Sequence, residues 1–132
     1  MAGYSGTPLP KKLGIDEGSV VALIGAPAGV VDDLPPGVKV KHQARGKADV
    51  VVAFFLERSE FARRLGSLST MIFPAGGLWV AWPKRASGLA TTMNENVVRE
   101  IALPLGLVDN KVCAIDDTWS GLRVVWRVER RG

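Results

Sequence analysis

The chain is poor in the residues that commit a small protein to a metal or a disulfide. It holds one cysteine, Cys113, and one histidine, His42, in 132 residues. A single cysteine excludes an internal disulfide framework and a cysteine-rich zinc site. A single histidine excludes a histidine-built metal cluster, and a Ser-His-Asp triad would have to use His42 alone. Long apolar runs are also missing. The longest, such as Val50–Leu56, reach only seven residues, against the ~20 that span a bilayer. The opening MAGYSGTPLPKK lacks an apolar core, so no signal peptide is expected and the cytoplasm is the expected location. What is present is ordinary for a globular domain: 47% hydrophobic and 23% charged residues. A chain of this length folds as one domain without staples.

Acidic charge falls short of basic charge, leaving +4 at neutral pH. The excess is uneven. Lys39, Lys41, Arg45 and Lys47 lie within nine residues, beside His42. Arg123, Arg127, Arg130 and Arg131 form a second group, tempered by Glu129, and Lys84–Arg85 a third. Such groups suit an anionic partner such as a nucleic acid or a phosphate, or they are simply solvated faces. The solvated reading is favoured, because the tryptophans sit inside apolar patterns rather than where they would stack on bases.

Along the chain, residues 1–18 read as an N-terminal arm and 19–132 as a single α/β domain. Thr7 is the expected cap of a short turn through Lys11–Leu13. Ser19–Ile24 is a continuous apolar run, as in a strand buried on both faces. It ends in Gly25-Ala26-Pro27-Ala28-Gly29, after which Gly29–Leu34 is expected to form one helical turn before Pro35-Pro36-Gly37. Val38–His42 alternates apolar and basic residues and reads as an edge strand. Ala48–Leu56 carries the strongest strand signal and reads as central.

Ser59 is the expected cap of a helix reaching Ile72, with Phe61, Leu65, Leu68 and Ile72 on one face. Pro74–Gly77 turns the chain into a strand over Leu78–Trp82. Asn94 is the expected cap of a helix to Leu103, with Met93 stapled to Val98. Val108–Ile115 and Leu122–Glu129 read as an antiparallel pair, with Leu122, Val124, Trp126 and Val128 on its buried face. The order predicts an open, mostly parallel sheet of about six strands with flanking helices and an antiparallel C-terminal strand pair.

Two resemblances follow. Leu13–Gly29 resembles the opening of class I S-adenosylmethionine-dependent methyltransferases: a turn, a buried strand and a glycine loop. Ala48–Leu56, the Pro74–Pro83 element and the closing helix and strand pair resemble later parts of the same Rossmann-like fold. The segments YSGTPLPKKLGI, GGLWVAWPK and LGLVDNKVCAIDDTWSGLR, from Tyr4 to Arg123, are similar to a family of small actinobacterial proteins of unknown function. That likeness implies no activity.

The methyltransferase likeness implies a reduced version of the fold with altered cofactor contacts. Gly25 and Gly29 keep the outer glycines of the loop, but Pro27 replaces the middle one and removes an N–H donor. Leu23 stands where an acidic residue would hold the cofactor's amino-acid portion. The second strand ends in His42-Gln43-Ala44, without the carboxylate that would bind ribose. The first crossover is too short for a full helix.

Other chemistry is thinly supported. Asp116-Asp117 suits acid–base or metal chemistry but reads better as a turn. Cys113 reads as a small buried strand residue rather than a nucleophile, and His42 as a solvated one rather than a ligand or base. The sequence therefore points to a non-catalytic cytoplasmic binding or interaction protein, regulatory in role and without a cofactor. Its expected ligand is a small anion at the carboxyl ends of the parallel strands. The expected site is Gly25, Pro27, Gly29, Lys84, Arg85, Ser87 and Gly88, with Trp119 covering the edge; a protein partner is the other expectation. The alternatives are a methyltransferase-like enzyme, a weak nucleic-acid binder, and a homodimer joined through the last strand.

Overall fold

A computed structural model describes residues 7–132. Met1 to Gly6, including Tyr4 of the family-like segment, lie outside the described residues. Six strands form one sheet: β1 (Val20–Ile24), β2 (Lys39–Lys41), β3 (Val50–Phe54), β4 (Gly77–Pro83), β5 (Leu107–Ala114) and β6 (Trp119–Trp126). Their spatial order is β2-β1-β3-β4-β6-β5. The first four run parallel, β6 is antiparallel to β4, and β5 is antiparallel to β6. Only β6 is therefore reversed, as expected for an open α/β sheet with a closing antiparallel pair.

The continuous apolar runs arise because the sheet is covered on both faces. Side chains alternate along each strand. Ala22, Ile24, Val51, Ala53, Leu78, Val80 and Trp82 join one core, and Val21, Leu23, Val50, Val52, Phe54, Trp79 and Ala81 join the other. Helix α2 (Arg58–Ile72) covers the first face with Phe61, Leu65, Leu68 and Ile72, and α3 (Glu95–Ala102) adds Val98 and Ala102. The second face has no long helix among the described residues. Its cover is the four-residue α1 (Leu9–Lys12), the loop side chains Leu13, Ile15 and Val31, and the hairpin residues Ile115 and Trp119.

Several local expectations are corrected. Part of the expected arm belongs to the core: Leu13 and Ile15 are buried, and Leu13 O accepts a 2.9 Å hydrogen bond from the Trp79 indole. Pro8, not Thr7, precedes α1. Gly29–Leu34 is not helical; a turn from Val30 N–H to Pro27 O takes its place. Ser59 lies inside α2, and Glu57 occupies the cap position without a side-chain bond to the helix. The exposed Arg58 N–H is met instead by Thr92 Oγ1 at 2.6 Å.

Asn94 does cap α3, accepting from Val97 N–H at 2.9 Å, and Met93 and Val98 pack in one cluster. The helix runs on through a 3-10 turn over Leu103–Leu105. The last strand stops at Trp126, so Val128 sits exposed in a 3-10 turn rather than on the buried face. That strand is also interior. The sheet edges are β5 and the short, lysine-bearing β2, which removes the premise of pairing through the last strand.

Candidate functional site

In an open α/β sheet the carboxyl ends of the strands frame the ligand crevice where the strand order reverses. Here the reversal is at β1, which has β2 on one side and β3 on the other. Gly25 follows β1 directly. Its φ is +68°, and a Cβ there would stand 3.3 Å from Phe54 O, so the chain needs glycine to turn beside the end of β3. Gly29 also has positive φ and is exposed, and Pro27 is half-buried.

The second expected loop follows β4, two strands away across the end of β3. At about 4.8 Å per strand, the two loops are separated by roughly 10 Å of sheet, so they share an edge without touching through strand pairing. Between them the chain continues through Phe55 and Leu56 to Glu57. Leu56 O accepts from Thr92 N–H and Thr91 Oγ1, and Thr92 Oγ1 donates to Glu57 Oε2 at 3.0 Å. The segment before α3 is thereby folded over the end of β3.

Several expected site residues carry structural duties. The Lys84 ammonium donates to Asp116 O at 2.6 Å, and its main-chain N–H bonds Thr118 O. Ser87 Oγ accepts from Leu89 N–H. Gly88 closes the short 3-10 turn Arg85–Ser87 in a left-handed conformation. Trp119 does not cap the edge from outside: it is buried, pairs with Pro83 and meets Phe54 edge-on at 5.1 Å. Arg85 is different. It is exposed and makes no side-chain hydrogen bond or ion pair among the described residues.

Arg85 lines a cavity of about 550 Å³ with Trp82, Leu89, Thr91, Met93 and Asn94. This hollow lies between the end of β4 and the start of α3. Composition hinted at the basic loop, but the cavity depends on how 88–94 folds back onto Leu56, which no local pattern encodes.

The remaining candidates resolve simply. Asp116 Oδ1 accepts from Thr118 N–H and Trp119 N–H at 2.8 and 2.7 Å, so the Asp116-Asp117 pair is a turn. Cys113 is half-buried, and that burial raises its thiol pKa despite Lys12 and Lys84 nearby. His42 is exposed. In the basic segment, Lys41 bonds Arg45 O and Lys47 O, and Lys47 bonds Thr70 O and Phe73 O. Two of its four cations thus hold loops together. Among the described residues no helix is long and apolar enough to cross a membrane, and no cluster suited to a metal occurs.

The fold is similar to that of solved structures. The magnesium protoporphyrin IX methyltransferase of Synechocystis PCC 6803 with bound S-adenosylmethionine superposes with a TM-score of 0.61 at 14% identity, over 90% of this chain and 74% of that one. The chain has the Rossmann-like α/β fold seen in that structure. A methyltransferase of Aquifex aeolicus gives 0.55 at 15% identity, over 86% of this chain and 85% of that one. The Methanococcus jannaschii fibrillarin pre-rRNA processing protein gives 0.57 at 13% identity, over 91% and 69%. No protein-family model matches the chain, and no curated sequence matches it.

The cofactor of this methyltransferase fold carries an ammonium and ribose hydroxyls, which need acceptors. Leu23 at the end of β1 is buried among apolar side chains. β2 ends at Lys41, followed by His42 and Gln43. Pro27 has no N–H to offer, no helix intervenes between β1 and β2, and one oxygen of Glu57, after β3, is taken by Thr92. The ends of β1 and β2 therefore supply neither carboxylate, and the nearest acidic side chains in the connection between them are the exposed Asp32 and Asp33.

Proposed function

We propose that this chain is a non-catalytic binding domain on a methyltransferase framework, and that it takes a small anionic molecule at the carboxyl edge of its sheet. The observation that carries this reading is the Arg85 cavity, whose guanidinium is unpaired among the described residues. An arginine fork suits a carboxylate or phosphate. The glycine loop after β1 adds main-chain donors along the same edge for a ligand long enough to pass over the end of β3. Differential scanning fluorimetry with phosphate, AMP, ADP and ATP tests the proposal. A concentration-dependent rise in melting temperature that disappears in Arg85→Ala supports it. No rise with any of the four, or an equal rise in the variant, overturns it.

A second reading, methyl transfer from S-adenosylmethionine, is favoured by the likeness in fold to a structure holding that molecule. It requires the cofactor to be gripped without carboxylates at the ends of β1 and β2, and a direct titration separates the two readings.

A further inference from the structure

The opposite, amino-terminal edge of the sheet holds a separate cavity of about 430 Å³. Gly14, Asp16, Glu17, Ser19, Asp49 and Arg123 stand on its wall. Arg123 comes from the middle of β6, paired with Trp79 on β4 and Lys111 on β5. Its half-buried guanidinium lies across Gly77 at the start of β4, so closely that a Cβ there would overlap it. The absent side chain at Gly77 is what gives the arginine room to lie flat on the sheet.

This guanidinium makes no hydrogen bond and no ion pair among the described residues. Burial and the neighbouring Arg131 both pull its pKa below the ordinary arginine value. Arginine carries five N–H donors and is never neutral in proteins, so a half-buried one without a protein partner is free to take an external acceptor in place of water. None of its nitrogens is sealed from solvent, so the donors remain reachable from the cavity.

The carboxylates on the same wall restrict what that acceptor can be. Asp49 Oδ2 accepts from Val20 N–H at 2.8 Å, leaving its second oxygen. Asp16 and Glu17 are exposed, and neither carboxylate pairs with a cation among the described residues. A polyanion would be attracted by Arg123 and repelled by three carboxylates. A molecule with an anion at one end and a cation at the other satisfies both walls.

We propose that this cavity binds a small zwitterion, its carboxylate on Arg123 and its ammonium against the Asp16 and Glu17 carboxylates. The site lies at the other end of the strands from the Arg85 cavity and stands whether or not that cavity binds anything.

Calorimetric titration with amino carboxylates from glycine to 6-aminohexanoate tests this, with the matching plain carboxylates and primary amines as controls. At least one amino carboxylate binds saturably, and its matched carboxylate and amine bind at least about tenfold more weakly, the loss expected when one charged contact is removed. Arg123→Gln weakens binding by a similar factor, and Arg63→Gln, the same change of charge on the exposed side of α2, leaves it unaltered. Should Arg123→Gln unfold, Asp16→Asn with Glu17→Gln decides the matter, because both positions are exposed; the same weakening is expected. No binding by any amino carboxylate, a plain carboxylate binding as tightly, or unchanged affinity in a folded wall variant overturns the proposal.

Discussion

Trp79 joins three parts of the molecule. It is buried in the middle of β4, its ring sits 3.2 Å from the space a Cβ would take at Gly121 on β6, and its indole N–H bonds Leu13 O across 66 residues. Replacing it by phenylalanine removes the donor and shrinks the ring. Leu13 is itself fully buried, so its carbonyl loses a partner that water cannot easily replace, at about 1–3 kcal/mol. The lost ring atoms cost about 1–2 kcal/mol more at ~0.8 kcal/mol per buried carbon. Trp79→Phe should therefore lose about 3 kcal/mol, or roughly 10 °C in melting temperature for a domain this size.

Urea unfolding followed by far-ultraviolet circular dichroism measures this loss, with Trp126→Phe as the comparison. Trp126 makes a similar indole bond, to Ser69 O at 2.8 Å, but is only half-buried, so its substitution should cost about 1 kcal/mol. Equal losses in the two variants, or a loss below about 1 kcal/mol at Trp79, would refute the claim that the segment around Leu13 is pinned to the sheet.

Other outcomes follow from the same contacts. Thr92→Val removes both the bond to Arg58 N–H and the bond to Glu57, and should destabilise the domain by about 1 kcal/mol, the usual size of a lost helix cap; denaturant titration reads it. Cys113 should react with iodoacetamide at pH 8 more slowly in the folded chain than in urea, because burial raises its pKa. A folded pKa above the unfolded one means that this thiol's contribution to stability is complete below the ordinary thiol range. It is lost as pH rises through the higher folded value, and unfolding midpoints taken across that range check the sign.

The central strands could be read directly from the sequence because burial on both faces leaves a continuous apolar run, as in Val50–Phe54 and Gly77–Pro83. Asn94 was equally legible, since its cap bond spans three residues. The remaining contacts are non-local and leave no local pattern. The cap of α2 comes from Thr92, 34 residues beyond Arg58. The hairpin order, with β6 inside β5, is set by which strand packs on β4, and position at the end of the chain does not encode it. Composition gave Arg123 only as one of several C-terminal cations; its place over Gly77 appears once β4 and β6 are paired. The glycine loop after β1 was visible, but the tether of Lys84 to Asp116 depends on how the hairpin folds back.

Isothermal titration of the intact chain with S-adenosylmethionine is the most direct trial of the idea that this scaffold has kept its sheet and given up its cofactor grips. With apolar or basic side chains at the ends of β1 and β2, no saturable heat is expected up to about 1 mM, a limit of only ~4 kcal/mol of binding free energy. A micromolar dissociation constant that is lost in a folded Gly25→Val variant would contradict the account.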